Sequence, residues 1–156
     1  MTPRTIVLDA NVLMRAVLGR RVDRLLESFA AQVTFLAPEV AFDDVCEHLA
    51  DVLTKRGELN ALQPALEKLT KLQLAVRAVD QAEYEAMKPA ALARIGPRDP
   101  DDWPILACAL ALNCPIWTED KDFFGTGVAT WTTALVELYF TEPDPGSPGS
   151  PGSVDH

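Results

Sequence analysis

The chain has 156 residues, 48% of them hydrophobic and 24% charged, with a formal net charge of −9, which suits one soluble globular domain with a sizeable core. No apolar run approaches the roughly 20 residues that cross a bilayer and no n-region and h-region pattern marks a secretory signal, so the expected place is the cytoplasm, away from membranes. Cys46, Cys108 and Cys114 show no CxxC spacing and read as reduced core thiols, and the acidic balance argues against a protein that coats nucleic acid, because counterion release needs lysine and arginine.

Residues 5–8, Thr5-Ile6-Val7-Leu8, are a β-branched and aliphatic run that ends at Asp9. Such a run predicts a strand buried on both faces, central in a parallel sheet, and ligands of these sheets bind at the carboxyl ends of the strands. Asp9 is therefore either a cap for the next helix or part of a site at that edge. Residues 12–18 read as a first helix stopped by Gly19, and Asn11 stands closest to its start as a candidate cap. Arg20, Arg21 and Arg24 lead into a second helical stretch over 22–31, with Val22, Leu25, Leu26 and Phe29 at helical spacing. A basic cluster of this kind is generally a solvated face. In so acidic a chain, Arg20 and Arg21, with Arg15 before them, are also the candidate phosphate contacts. Residues 33–36 form a second strand.

Pro38 opens a helix to about Lys55, with Val40, Val45, Leu49 and Val52 or Leu53 as its apolar stripe. Asp44 and His48 share one face of it, as do Asp43 and Glu47. Gly57 ends that helix, residues 59–74 continue helically, 75–79 make a third strand, and 82–95 a further helix broken by Gly96-Pro97. Arg98-Asp99-Pro100-Asp101-Asp102-Trp103-Pro104 then sets three aspartates ahead of residues 105–112, an alanine-rich helix without a polar face and hence buried. One acid would complement the helix dipole; three exceed that need. Residues 115–118 form a fourth strand with Glu119-Asp120-Lys121-Asp122 at its carboxyl end, 128–130 a last short strand, and 132–139 a closing helix. From 141 onward the Pro, Gly and Ser repeats have nothing apolar to bury, and a disordered tail is expected over 141–156.

If the strands are parallel, Asp9 and Asp120 share one edge of the sheet, and helices that follow strands begin there too, which suits Asp102. A fourth acid cluster lies on the helix of Asp44. Four carboxylates in one pocket repel unless cations neutralise them, and an all-oxygen donor set favours Mg2+ or Mn2+. Two such ions roughly 4 Å apart activate a water and stabilise the leaving oxygen in phosphodiester hydrolysis. Other chemistries fit poorly. Ser28 is the only serine before the tail and has no strand-turn-helix elbow. His48 and His156 are the only histidines, and no dinucleotide or P-loop motif is present. Asp9, Thr118 and Lys121 offer the residue types of a phosphoaspartate phosphatase or receiver domain. The phosphatase, however, wants Asp where Asn11 stands, and the receiver wants its acceptor after the third strand, where only Asp80 is found.

The run from Ile6 to Leu13, the helix Asp102…Ala107-x-Ala109 and Thr118-Glu119-Asp120-Lys121-Asp122-Phe123 resemble the PIN-domain ribonucleases, a family that includes the toxins of VapBC-type toxin–antitoxin systems. The similarity runs from about residue 4 to 140. Within it, Ala37-Pro38-Glu39 leading to Asp44 and His48, then the 98–104 and 110–117 segments, is similar to one prokaryotic subgroup. The resemblance implies a single three-layer α/β/α domain over 1–140, with a central, mainly parallel sheet of about five strands and an acidic metal pocket at the strand ends.

It implies Asp9, Asp44, Asp102 and Asp120 as catalytic residues that ligate Mg2+ or Mn2+, with Asp122 as a further ligand. Asp44 stands where the family has glutamate, and Glu47 is the alternative one turn along. Asp99 and Asp101 are assigned to the loop, while Asn11 and Thr118 would orient ligands or waters through hydrogen bonds. The implied activity is endonucleolytic cleavage of single-stranded RNA, with an antitoxin as partner if the chain is a toxin. A homodimer is the commonest soluble assembly. The shorter Asp44 also raises the alternative of a PIN-fold module that binds without cleaving.

Overall fold

Ile6, Val7 and Leu8 of strand β1 (Arg4–Leu8) are completely shielded from solvent, and that fixes where the strand can lie. Covering both faces of a strand requires neighbours on either side and helices above and below. In this computed structural model, which describes residues 4–142, those neighbours are β2 (Val33–Pro38) and β4 (Ile116–Trp117). With β3 (Val76–Val79) and β5 (Thr130–Trp131) they complete an all-parallel sheet of order β3-β2-β1-β4-β5. Val7 pairs with Leu36 on one side and with Ile116 on the other.

The chain moves outward from β1 through β2 to β3, and then returns to β4 on the opposite side of β1. Right-handed crossovers therefore place α1 (Ala10–Leu18), α2 (Arg21–Ser28), α3 (Glu39–Lys55) and α4 (Leu62–Ala75) over one face. They place α5 (Lys88–Ile95) and α6 (Trp103–Leu112) over the other, where α6 packs across β1, β2 and β4. Residues 104–109 of α6 are all buried, as an apolar helix without a polar face demands. Asn113, at φ 52, closes α6 in the left-handed conformation that asparagine tolerates. The reversal of strand order between β1 and β4 makes a crevice at their carboxyl ends, the switch point where such sheets bind ligands.

The last helix, α7 (Val136–Thr141), seats Phe140 against Phe29, Phe35 and Trp117 with ring centroids 5.0, 5.7 and 5.7 Å away. The Tyr139 hydroxyl donates to the Thr5 carbonyl at 2.9 Å, tying α7 to the central strand. No helix among the described residues is long and apolar enough to cross a membrane.

Several boundaries differ from the sequence expectation, each for a local reason. The second helix ends at Ser28 rather than at 31, because the chain turns there to lay Phe29 on Phe140. Pro38 precedes α3 in extended conformation rather than opening it. The stretch expected over 59–74 begins as a 3-10 turn, Leu59–Ala61, before α4. The helix expected over 82–95 shrinks to α5, because Asp80 and Glu83 close a capping box around a 3-10 turn, Gln81–Glu83, and a second turn, Glu85–Met87, follows. The last strand is Thr130–Trp131, and the closing helix begins only at Val136, after a turn in which Leu135 N–H bonds the Thr132 carbonyl at 3.0 Å. The expected tail lies, beyond Glu142, outside the described residues.

Truncating the buried Phe140 removes the ring that packs against Phe29, Phe35 and Trp117. Phe140→Ala is expected to lower stability by about 3–5 kcal/mol, read as a reduced urea midpoint; a loss below about 1 kcal/mol would contradict this packing.

Candidate active site

The crevice between β1 and β4 is built from the two side chains that end those strands. Asp9 follows Leu8 and is 5% exposed; Thr118 follows Trp117 and is fully buried. Asp9 caps α1, its Oδ1 accepting from Val12 N–H at 2.9 Å, so the cap expected at Asn11 is Asp9 instead. Asn11 sits exposed in the first turn of α1. The Thr118 hydroxyl donates to Asp9 Oδ2 and accepts from Asp120 N–H at 2.9 Å, while Asp120 Oδ1 accepts from Asp122 N–H at 2.9 Å. One chain of hydrogen bonds thus runs from the end of β1 across the end of β4 into the loop beyond it. Glu119 holds the same loop from the other side, its Oε2 accepting from Thr133 N–H at 2.6 Å.

Opposite this chain, the segment before α6 winds into a 3-10 turn, Pro100–Asp102, with Asp102 N–H bonded to the Asp99 carbonyl at 3.1 Å. Carboxylate oxygens of Asp99, Asp102 and Asp120 all come within 4.8 Å of one another. Asp99, assigned to the loop from sequence, is therefore part of the cluster. The signal for it was Pro100: a 3-10 turn has three residues per turn, which puts residues 99 and 102 on one side. Asp101 points into solvent. Asp122 is half-buried beside Asp120 but its carboxylate does not join the three.

The structure does not bring Asp44 into that group. It is exposed on α3 among Asp43, Glu47 and His48, and the His48 ring bonds the Asp44 carbonyl at 2.8 Å. Partial burial raises its carboxyl pKa, with His48 lowering it and Glu47 and Asp43 raising it. Glu47 is likewise exposed. Arg20 and Arg21 border a cleft together with Arg24, and Arg15 is exposed on α1 outside it.

Sequence reasoning missed two arginines that hold the cluster in shape. Arg98 donates to the carbonyls of Ile95 and Arg94, both at 3.2 Å, and of Phe124 at 2.8 Å; Arg94 donates to the Thr126 carbonyl at 3.0 Å. The loop carrying Asp120 is in this way fastened to the end of α5, from which the turn bearing Asp99 and Asp102 departs. Gly127, at φ 89, lets this happen, since a Cβ there would stand 2.7 Å from Arg94 Nη1.

The acids are costly to ionise where they stand. Burial pushes the Asp9 carboxyl up to about 6, with the Thr118 and Val12 hydrogen bonds lowering it and the charges of Asp120 and Glu119 raising it. Burial pushes Asp102 up to about 8, aided by the hydrogen bond and charge of Asp99 and by Asp120. Half-buried carboxylate oxygens this close, with no cationic side chain among them, have the donor chemistry that a hard divalent cation takes. Asp99, Asp102 and Asp120 fit Mg2+ or Mn2+, with Asp9 adjoining.

The PIN-domain family model matches residues 7–141. No curated protein is similar enough in sequence to match. Among solved structures, a chain of VapBC2 from Rickettsia felis, bound to a DNA fragment from their promoter, shares the fold with a TM-score of 0.61 at 13% identity. The alignment covers 82% of this chain and 98% of that one.

Both raised acids bind protons more tightly folded than unfolded, where their ordinary value is 3.8. The folded state therefore holds the extra protons above pH 4, and the stability they confer is lost as pH rises through about 6 for Asp9 and about 8 for Asp102. In chelator, Asp102→Asn is expected to melt above the wild type by a margin that widens from pH 4 to pH 8, and Mg2+ or Mn2+ is expected to raise the wild-type Tm at pH 8. Parallel Tm curves for the two proteins, unmoved by metal, would contradict the electrostatic account.

Proposed function

The chain belongs to the PIN-domain family, and from that premise we propose that it is a nuclease, specifically a divalent-metal-dependent endoribonuclease that hydrolyses phosphodiester bonds of single-stranded RNA. The observation that carries the reading is the meeting of Asp99, Asp102 and Asp120 within 4.8 Å beside Asp9 at the switch point of the sheet. Asp9, Asp99, Asp102 and Asp120 would hold Mg2+ or Mn2+, with Asp122 next to them. When bound, such an ion neutralises charge on the phosphate and generates a nucleophilic water at neutral pH.

The chain's own groups supply orientation and proton handling. Asp9 has little rotational freedom, because Oδ1 is held by Val12 N–H and Oδ2 by the Thr118 hydroxyl. It therefore presents its remaining lone pairs in a fixed direction, the preorganisation that charge stabilisation in a site requires. Thr118, itself fixed by Asp120 N–H, acts as the positioning residue. Asp102, pushed to about 8 by burial and by Asp99 and Asp120, is able to carry a proton at its carboxyl at neutral pH.

The resemblance to VapBC-type toxins and the fold shared with a VapBC2 chain support a finer reading, in which this nuclease is a toxin held in check by an antitoxin protein. A homodimer in the cytoplasm remains the proposed assembly and place. The position of Asp44, apart from the cluster, favours a second reading, a metal-binding PIN module without cleavage. One experiment separates them. Purified protein with Mn2+ is expected to cut an unstructured RNA, and Asp9→Asn or Asp102→Asn to reduce the rate by more than about a hundredfold, beyond the 10–100-fold typical of outer hydrogen-bond partners, while circular dichroism stays unchanged. Cleavage surviving in either variant would overturn the assignment; Mn2+ binding without any wild-type cleavage would leave the binding module.

A further inference from the structure

The acidic crevice is not the only place where like charges are held together. Beyond the end of α1, Arg20, Arg21 and Arg24 border a cleft of about 460 Å³ completed by Leu25 and Glu137. All three arginines are exposed. The ion pairs among the described residues are Lys68–Asp23 at 3.5 Å and Arg77–Glu83 at 3.5 Å, and neither uses them. Glu137, the one acid on the cleft, does not reach any of them within ion-pair distance. Arg20 is also the residue before α2 and gives it no side-chain cap. The first amides of this eight-residue helix therefore add partial positive charge at the same place, offset in part by Asp23, which is engaged with Lys68.

Three guanidinium groups on one cleft repel each other unless an anion sits between them, and their planar forks match phosphate oxygens bidentately. Leu25 provides an apolar floor on which a sugar or base can lie. The position relative to the acids is set by α1, which begins at Asp9 and ends before Gly19. The nine residues of α1 carry the chain about 14 Å along the helix axis, and Arg20 follows two residues later, so a strand joining the two places spans at least about four nucleotides at ~3.4 Å each.

We propose that this arginine cleft binds the phosphodiester backbone of the RNA strand whose scissile phosphate lies at the acidic crevice, as a second anchoring point. The inference rests on the ribonuclease reading for the identity of the strand. In a chain of net charge −9, an anchor of this kind holds a polyanion that the rest of the surface repels. Arginine forks match carboxylate and phosphate alike, and the strand is favoured as occupant because it must also reach the acidic crevice one helix length away.

The test uses the full chain in chelator, so that nothing is cut, and a labelled unstructured RNA of about a dozen nucleotides. Replacing Arg20, Arg21 and Arg24 together by Ala is expected to weaken binding at low salt by at least tenfold. It should also reduce the slope of log K against log salt by about 2, since each single-strand phosphate contact contributes ~0.7. Lysine at the same three positions should keep most of the slope. With Mn2+ present, the KM of the alanine variant for the same RNA should rise. An unchanged slope overturns the proposal. So does RNA binding that persists while affinity for polyglutamate is lost, which would assign the cleft to an acidic protein partner. A wild type that does not cut the RNA, while the alanine variant still shows the slope difference, would refute the ribonuclease reading and leave an RNA-binding cleft.

Discussion

The hydrogen bond from the Thr118 hydroxyl to Asp9 joins the ends of the two strands that flank the switch point, and the geometry of the acidic edge depends on it. Thr118 can make that bond because the strand register sets it beside Asp9. Leu8 pairs with Trp117, so the next residue on each strand meets the other at the rim. Asp9 in turn starts α1 and Asp120 hangs from the same hydroxyl through its amide. A single buried threonine therefore sets the register between a helix start, a strand end and the loop that carries the acids. A valine in its place would leave Asp9 Oδ2 buried without its donor, the situation in which a polar group costs most.

The second constraint is how the loops are fastened without neutralising the site. Arg94 and Arg98 stand close to the acidic turn, yet the bonds they make go to backbone carbonyls of Ile95, Arg94, Phe124 and Thr126. The loops are thereby held by cations whose hydrogen bonds do not cancel the carboxylate charge. The outcome is a cluster that raises the pKa of Asp9 and Asp102 through burial and mutual repulsion. A bound cation would relieve that tension. Beyond the end of α1 the opposite imbalance appears, with arginines gathered and no acid within pairing distance among the described residues. The molecule keeps its two unpaired charge clusters apart by the length of one helix.

Much of this architecture was legible in the sequence. The run Ile6-Val7-Leu8 announced a doubly covered strand, and the alanine-rich 105–112 segment announced a buried helix, because total burial leaves no polar alternation. Parallel order then followed from helices between strands, and the resemblance carried by the acid-bearing segments supplied the family. What periodicity could not see was local competition. The Asp80–Glu83 capping box breaks the expected helix over 82–95, and Asp99 joins its cluster only through a 3-10 turn. The arginine fastenings span 26 and 32 residues and leave no periodic trace. Asp44 stands apart from the carboxylate cluster. Its place on the helix after β2 matched the family pattern, but in this structure its neighbours are those of its own helix.

The most direct test of the account is where a metal sits. Crystals soaked in Mn2+ should show an anomalous difference peak between Asp99, Asp102 and Asp120. A crystal with no peak there at saturating Mn2+, or with a peak on Asp43, Asp44 and Glu47 instead, would contradict the assignment of the switch-point carboxylates as the metal centre.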